Sequence, residues 1–210
     1  MAFSIFLNFE RLSMKIIEAE ITQMTDDNVV GAGGEIDEVD NQKFENNLYH
    51  GSIAITFITN LYETALNTIL NRRLDCSESE ILKLGHEGKL RIICAMCKAE
   101  LTSIKGDNSY GIIRDAVKLR NDITHYKDNM IAEGHFINIR TSFPMGSAKT
   151  PVASLFTKSY MQKCYDGTIK FLELLCKKCG YVLCLDCEVI DCDGRDDTCE
   201  FILTGNAKRS

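Results

Sequence analysis

KFENNLYHGSIAITFITNLYETALNTILNR, residues 43–72, decides the fold class. Its middle, IAITFIT, is rich in β-branched residues and has strand propensity on its own. Its surroundings favour a helix. Ile55, Ile58, Tyr62, Ala65, Leu66 and Ile69 recur at spacings of three and four, and no turn signal interrupts them. Asn60, Glu63, Asn67 and Asn71 fall together on a different face, as a period of 3.6 requires.

Outward from this segment the same period dominates. Residues 3–24 read as a first helix, and the Gly- and acid-rich stretch 25–42 as a loop. Ser77, three residues before Glu80, gives a capping-box signature. Gly85 and Gly88 are candidate breaks, after which Leu90, Ile93, Cys97, Leu101 and Ile104 form a helical stripe. KGDNSYG (105–111) is a turn in which Asp107 or Asn108 can cap the next helix. That helix, 109–127, carries Ile112, Ala116, Leu119, Ile123 and Tyr126 on its apolar side. Residues 128–152 lose the period and hold both prolines, with GHFINIRTSF as a short strand candidate. A final helix covers about 157–178, with Tyr160, Cys164, Thr168, Phe171 and Leu175 inward. The reading is an all-α chain. An antiparallel bundle of four or five helices carries a small Cys-rich C-terminal extension. It divides into an N-terminal helix and loop (1–42), the bundle (43–178), and the extension with its polar tail (179–210).

Composition narrows the function. The 210 residues are 45% hydrophobic and 26% charged, which excludes global disorder. No apolar run is long enough for a membrane span, and no basic leader with a small-residue cleavage site opens the sequence. A cytoplasmic setting with reduced thiols is therefore expected. Net charge is −6, so any nucleic-acid contact must come from a local basic patch. No P-loop, GxSxG or HExxH motif is present. GAGGE (31–35) follows no strand, and the acidic DGRDDTCE (193–200) lacks calcium-loop spacing.

A basic patch exists on the 109–127 helix. Arg114, Lys118, Asn121 and His125 are spaced four, three and four, which puts them on one side. Arg120 lies one step around, and Thr124 stacks a turn after it. From Arg120 to His125 the rise is roughly 7.5 Å and the rotation about 140°. A flexible guanidinium and an imidazole at that spacing can converge on one bound group. Imidazole takes and gives a proton near neutral pH. Guanidinium matches phosphate oxygens with a fixed charge. Together they suffice to cleave RNA without a metal, one deprotonating the 2′-hydroxyl and the other neutralising charge on the phosphorane. The bland alternative is a solvated polar face. His50, His86 and His135 show no partner in the sequence.

KLRNDITHY (118–126) resembles the signature of the HEPN family, an Arg followed four to six residues later by a His, here Arg120-Asn121-Asp122-Ile123-Thr124-His125. The polar residue after the Arg, the apolar Leu119 before it and the helical setting all fit. So does a preceding long helix carrying one Glu, Glu63, about 55 residues upstream. The likeness covers roughly residues 43–178. It implies a helical bundle that dimerises so that two Arg–His motifs meet in one cleft. Many such proteins are metal-independent endoribonucleases, acting as toxins with an antitoxin partner or as antiviral effectors. Others are inactive binding or dimerisation modules. Carried over, Arg120 and His125 would be the catalytic pair and Asn121 a polar assistant. Glu63 would either orient Arg120 or belong to a solvated face. In a homodimer, two copies of Arg114, Lys118 and Arg120 would raise the local positive potential and hold RNA, with Thr124 alongside.

The extension adds a further question. Cys176-x-x-Cys179 and Cys184-x-x-Cys187 are two C-x-x-C pairs, the minimum for tetrahedral zinc, but only four residues separate them. The expectation is no cofactor, with the alternation in YVLCLDCEVIDC marking a β-hairpin. Structural zinc on those four thiols, in a zinc-dependent regulator, is the alternative. Cys94-x-x-Cys97 reads as inert thiols in the middle of a helix.

Overall fold

The computed structural model describes residues 9–26, 38–74, 80, 83–133, 155–183 and 202–204. Of 38–41, 72, 73, 125–133, 182 and 202–204 only the backbone is described. Among these residues run α1 (Phe9–Thr22), α2 (Glu38–Arg73), α3 (His86–Met96), α4 (Leu101–Lys105), α5 (Asn108–Glu133) and α6 (Lys158–Cys179). Two three-residue strands follow, β1 (Tyr181–Leu183) and β2 (Ile202–Thr204). They pair antiparallel, with Tyr181 opposite Thr204 and Leu183 opposite Ile202. The described residues are mainly helical, as the periodicity predicts. The strand candidate at 134–143, the Ser77 capping box, Cys184 and Cys187, and His135 lie outside the described residues.

The ambiguous IAITFIT stretch is helical, in the interior of α2. Its β-branched residues are tolerated because Ile55 and Ile58 are fully buried there, and tertiary packing outweighs their small propensity deficit. The helix starts earlier than expected, inside the acidic stretch. Glu38 and Asp40 there suit the positive end of a helix.

The stripe from Leu90 to Ile104 is not one helix but two. Lys98 turns into the left-handed region (φ 54°), and the Ala99 amide donates back to the Cys94 carbonyl at 2.9 Å. That contact closes the end of α3 in the manner of a left-handed C-cap. The apolar period carries across the break because Leu90 and Ile93 in α3 and Ile104 in α4 are all buried. Gly85 precedes α3, whereas Gly88 lies within it. Asp107 caps α5 as its position predicts, accepting the Ser109 amide at 2.8 Å. The β1 partner is Ile202–Thr204, beyond the YVLCLDCEVIDC stretch that suggested a hairpin.

The chain forms two compact units. One draws its described residues from 1–15, 60–111 and 168–210. Its core contains Leu66, Ile69, Leu90, Ile93, Phe171 and Leu175. Full burial of such a side chain is worth about 1.5–3 kcal/mol against exposure. Tyr62 stands edge-on to Phe171, with centroids 5.8 Å apart.

The other unit comprises residues 16–59 and 112–167. Ile17, Phe44, Ile55, Leu119, Phe156 and Met161 fill its core. Fully buried Asn47 satisfies the Thr25 backbone twice. Its Oδ1 accepts the Thr25 amide at 2.9 Å, and its Nδ2 donates to the Thr25 carbonyl at 3.1 Å. Asp26 caps the start of α6, accepting the Ser159 amide at 2.7 Å. Gly167 is needed where it stands: a Cβ there would lie 2.6 Å from Cγ2 of Ile112.

Candidate functional site

The polar side of α5 follows from how its apolar side packs. Ile113, Ala116 and Leu119, three apart, are buried, so the remaining positions face outward or along the rim. Arg114 and Lys118 are exposed. The Arg114 guanidinium lies 3.3 Å from the Asp115 carboxylate with both side chains well exposed, a pairing of little energetic weight. Asn121 is half-buried. Thr124 is exposed, and its hydroxyl donates to the Arg120 carbonyl at 2.8 Å. That bond commits the hydroxyl proton to the helix backbone.

Arg120 differs from its basic neighbours. It is half-buried, and its Nε is buried with no hydrogen-bond acceptor among the described residues. An unpaired buried donor is unfavourable by about 1–3 kcal/mol. An Nε left in that state calls for a physical explanation, and an acceptor brought by a ligand is one. The backbone of α5 runs unbroken through His125 to Glu133, so the five-residue register between Arg120 and His125 is helical throughout. The His125 side chain lies outside the described residues.

Glu63 and Arg120 belong to different units. The Glu63 carboxylate has partners of its own. Lys89 Nζ donates to Oε1 at 2.7 Å, and His86 Nε2 stands 3.2 Å from Oε2. Lys89 is fully buried, while Glu63 and His86 keep part of their surface exposed. Burial works to raise the Glu63 pKa, but the hydrogen bonds from Lys89 and His86 outweigh it. The carboxyl is held below its ordinary value. The ring of His86 packs edge-on against Tyr62.

Two histidines without partners in the sequence thus have them in the fold. His86 meets Glu63, and His50 Nδ1 lies 2.6 Å from Glu20 Oε2. Lys89 was the missed residue. The available signal was its position, four before Ile93 and eight before Cys97, which puts a lysine on the apolar stripe of α3.

Cys176 and Cys179 are buried at the end of α6. Among the described residues no group of three or more His, Cys, Asp or Glu side chains is placed to hold a metal ion. Burial is the largest cause raising the pKa of the Cys179 thiol, and the thiols of Cys97, Cys94 and Cys176 add to it. Cys94-x-x-Cys97 is not in the middle of a helix as its sequence suggested. Cys94 is in the last turn of α3, and Cys97 caps it half-buried.

Among the described residues no helix is long and apolar enough to cross a membrane. Comparison of the chain with models of known families, with curated proteins and with solved structures returns no match.

Proposed function

We propose that this chain is a metal-independent endoribonuclease of HEPN type. It works as a cytoplasmic homodimer, a toxin paired with an antitoxin or an antiviral effector. The bundle would be antiparallel, with the Cys-rich segment as an appendage. His125 takes the proton of a ribose 2′-hydroxyl. The freed oxygen attacks the adjacent phosphorus, and the bond to the 5′-oxygen breaks as that oxygen is protonated. The products are a 2′,3′-cyclic phosphate and a 5′-hydroxyl. Arg120 neutralises charge on the phosphorane, Asn121 assists, and Arg114 and Lys118 attract the backbone.

The observation that supports this reading most is the Nε of Arg120, buried without an acceptor among the described residues, on the same helix as His125. A phosphate oxygen is the kind of group such a donor lacks. The experiment is incubation of purified protein with RNA in EDTA, with mass in solution measured alongside. Wild type cleaves and leaves cyclic phosphate ends. His125→Ala, folded and equally dimeric, does not. If wild type is as inert as His125→Ala, the reading is wrong.

A second reading draws on α2. Leu48, Tyr49, Ile53 and Phe57 line a shallow groove with Glu45, Ser52 and Thr56, and Tyr49 is 65% exposed. Such a surface suits a catalytically inactive dimerisation or protein-binding module. A dimer that lacks RNase activity and dissociates on Tyr49→Glu would favour it.

A further inference from the structure

We propose that His86 is a phosphoryl acceptor. Its Nδ1 takes a phosphoryl group from a small phosphoryl donor, Glu63 positions the ring from behind, and Lys89 holds Glu63. The three residues lie on α2 and the first turn of α3, within one compact unit. Arg120 belongs to the other unit, so the inference does not rest on RNA cleavage.

The side chains line up as nucleophile, carboxylate and anchor. His86 Nε2 stands 3.2 Å from Glu63 Oε2, and Lys89 Nζ donates to Oε1 at 2.7 Å. Burial opposes ionisation of Glu63, but its hydrogen bonds from Lys89 and His86 prevail, so the carboxylate is ionised near neutral pH and only accepts. The ring proton of neutral His86 therefore sits on Nε2, and the free lone pair on Nδ1. Lys89 is fully buried, so the carboxylate cannot turn away without stranding a cation. Tyr62 packs edge-on against the imidazole, with centroids 5.5 Å apart, and fixes its plane. A nucleophile in hydrogen-bond reach of a base that a third group orients is the arrangement covalent chemistry requires.

The surroundings select the electrophile. Lys89 already neutralises Glu63, which disfavours a second cation, a metal ion included. His86 is the first residue of α3, and Gly85 before it gives that helix end no side-chain acceptor, so a negative group is favoured there. A Cβ on Gly85 would meet nothing within 4 Å, and one on Gly88 nothing nearer than Leu84 Cβ at 3.9 Å, which leaves room for a tetrahedral group. The neighbouring Glu87 carboxylate is occupied by Lys105 at 2.7 Å and the Tyr110 hydroxyl at 3.2 Å. The His86 side chain keeps 19% of its surface exposed, enough for a small donor to reach it. In the step, Nδ1 attacks phosphorus and the bond from phosphorus to the leaving group breaks. With phosphoramidate as donor, ammonia departs with the electron pair. The ring keeps its Nε2 proton, and the positive charge it gains faces Glu63.

The test incubates the full chain with phosphoramidate at neutral pH and keeps all later steps out of acid. Four histidines compete, at 50, 86, 125 and 135. His50 has its Nδ1, not its Nε2, turned to a carboxylate, 2.6 Å from Glu20 Oε2, so it is left with the other nitrogen. The chain is expected to gain one phosphoryl group first on His86, at Nδ1, as mapped by mass spectrometry and by the phosphorus resonance of the positional isomer. Mild acid should remove it, and His86→Asn should lose it. Glu63→Gln combined with Lys89→Met leaves no unmatched buried cation, and it should lose the preference for Nδ1 while still melting cooperatively. A merely structural role for Glu63 would not move the isomer. The proposal is overturned if another histidine is labelled before His86, if His86 is labelled at Nε2 in the wild type, or if the folded double variant keeps the Nδ1 product.

Discussion

Lys89 places its ammonium 2.7 Å from Oε1 of Glu63 while having no exposed surface of its own. Removing the carboxylate charge leaves a buried cation unmatched, which is worse than removing both groups. Glu63→Gln is expected to destabilise the fold by roughly 1–3 kcal/mol, discounted for the partial exposure of Glu63. Adding Lys89→Met to that variant should recover most of the loss. Urea unfolding of the two variants checks the ordering, and a double variant weaker than Glu63→Gln contradicts it.

Acid should act through the same pair. Glu63, Asp26 and Asp107 all have carboxyl pKa values below their ordinary ones, the latter two through hydrogen bonds from Ser159 and Ser109. A depressed folded pKa means that the unfolded chain binds the proton more readily. The stability these groups contribute is therefore complete above the ordinary carboxylate range, and it drains away as pH falls through the lowered values. Unfolding free energy measured against pH should be flat for these groups above about pH 4.5 and decline below it. Glu63→Gln should have a shallower decline.

Two helical glycines should respond in opposite directions to the same change. At Gly111 a Cβ meets nothing within 4 Å, so Gly111→Ala gains helix propensity and is expected to stabilise by up to about 1 kcal/mol. At Gly167 the same methyl would press on Ile112, and Gly167→Ala is expected to destabilise by about 1–3 kcal/mol. Thermal melts of the two variants suffice.

Arg120 should trade stability for activity. Replacing it with Met removes a buried donor that lacks an acceptor among the described residues, so the melting temperature should rise. The same variant should lose RNA cleavage by at least about 100-fold. Arg120→Lys should not rescue it, since a point charge lacks the planar fork. A stable, fully active Arg120→Met would remove Arg120 from the reaction.

Asn47 tests a polar core position. Asn47→Asp keeps the acceptor for the Thr25 amide but turns a second oxygen toward the Thr25 carbonyl where a donor stood. A loss of roughly 2–4 kcal/mol is expected from the mismatch and the buried charge. It should shrink at low pH, where the carboxyl regains a proton to donate.

Much of the fold was legible because its signal is periodic. The buried set Ile55, Ile58, Ala65, Leu66 and Ile69 is the one the spacing of α2 picks out. Asp107 caps α5 where an acid before Ser109 should. What stayed hidden depends on where the chain turns. A non-glycine residue in the left-handed region, Lys98, carries no composition signal, so the end of α3 and the exposure of Cys97 could not be read. The Glu63–Lys89 and Glu20–His50 contacts join residues far apart in sequence, and periodicity within one helix says nothing of its neighbour. For the stripe itself, periodicity sets the register of Arg120, but only the packing reveals that its Nε is enclosed and unmatched among the described residues.

The cap on α6 has a temporal side. Asp26 is synthesised 133 residues before Ser159, whose amide it accepts, and Glu18 precedes its partner Tyr165 by 147. During translation Glu18 and Asp26 must wait for well over a hundred further residues before these partners arrive. Closing so distant a loop is slow. A chain halted before Lys158 leaves Asp26 and Glu18 without Ser159 and Tyr165, and there holdases and proteases would compete for it.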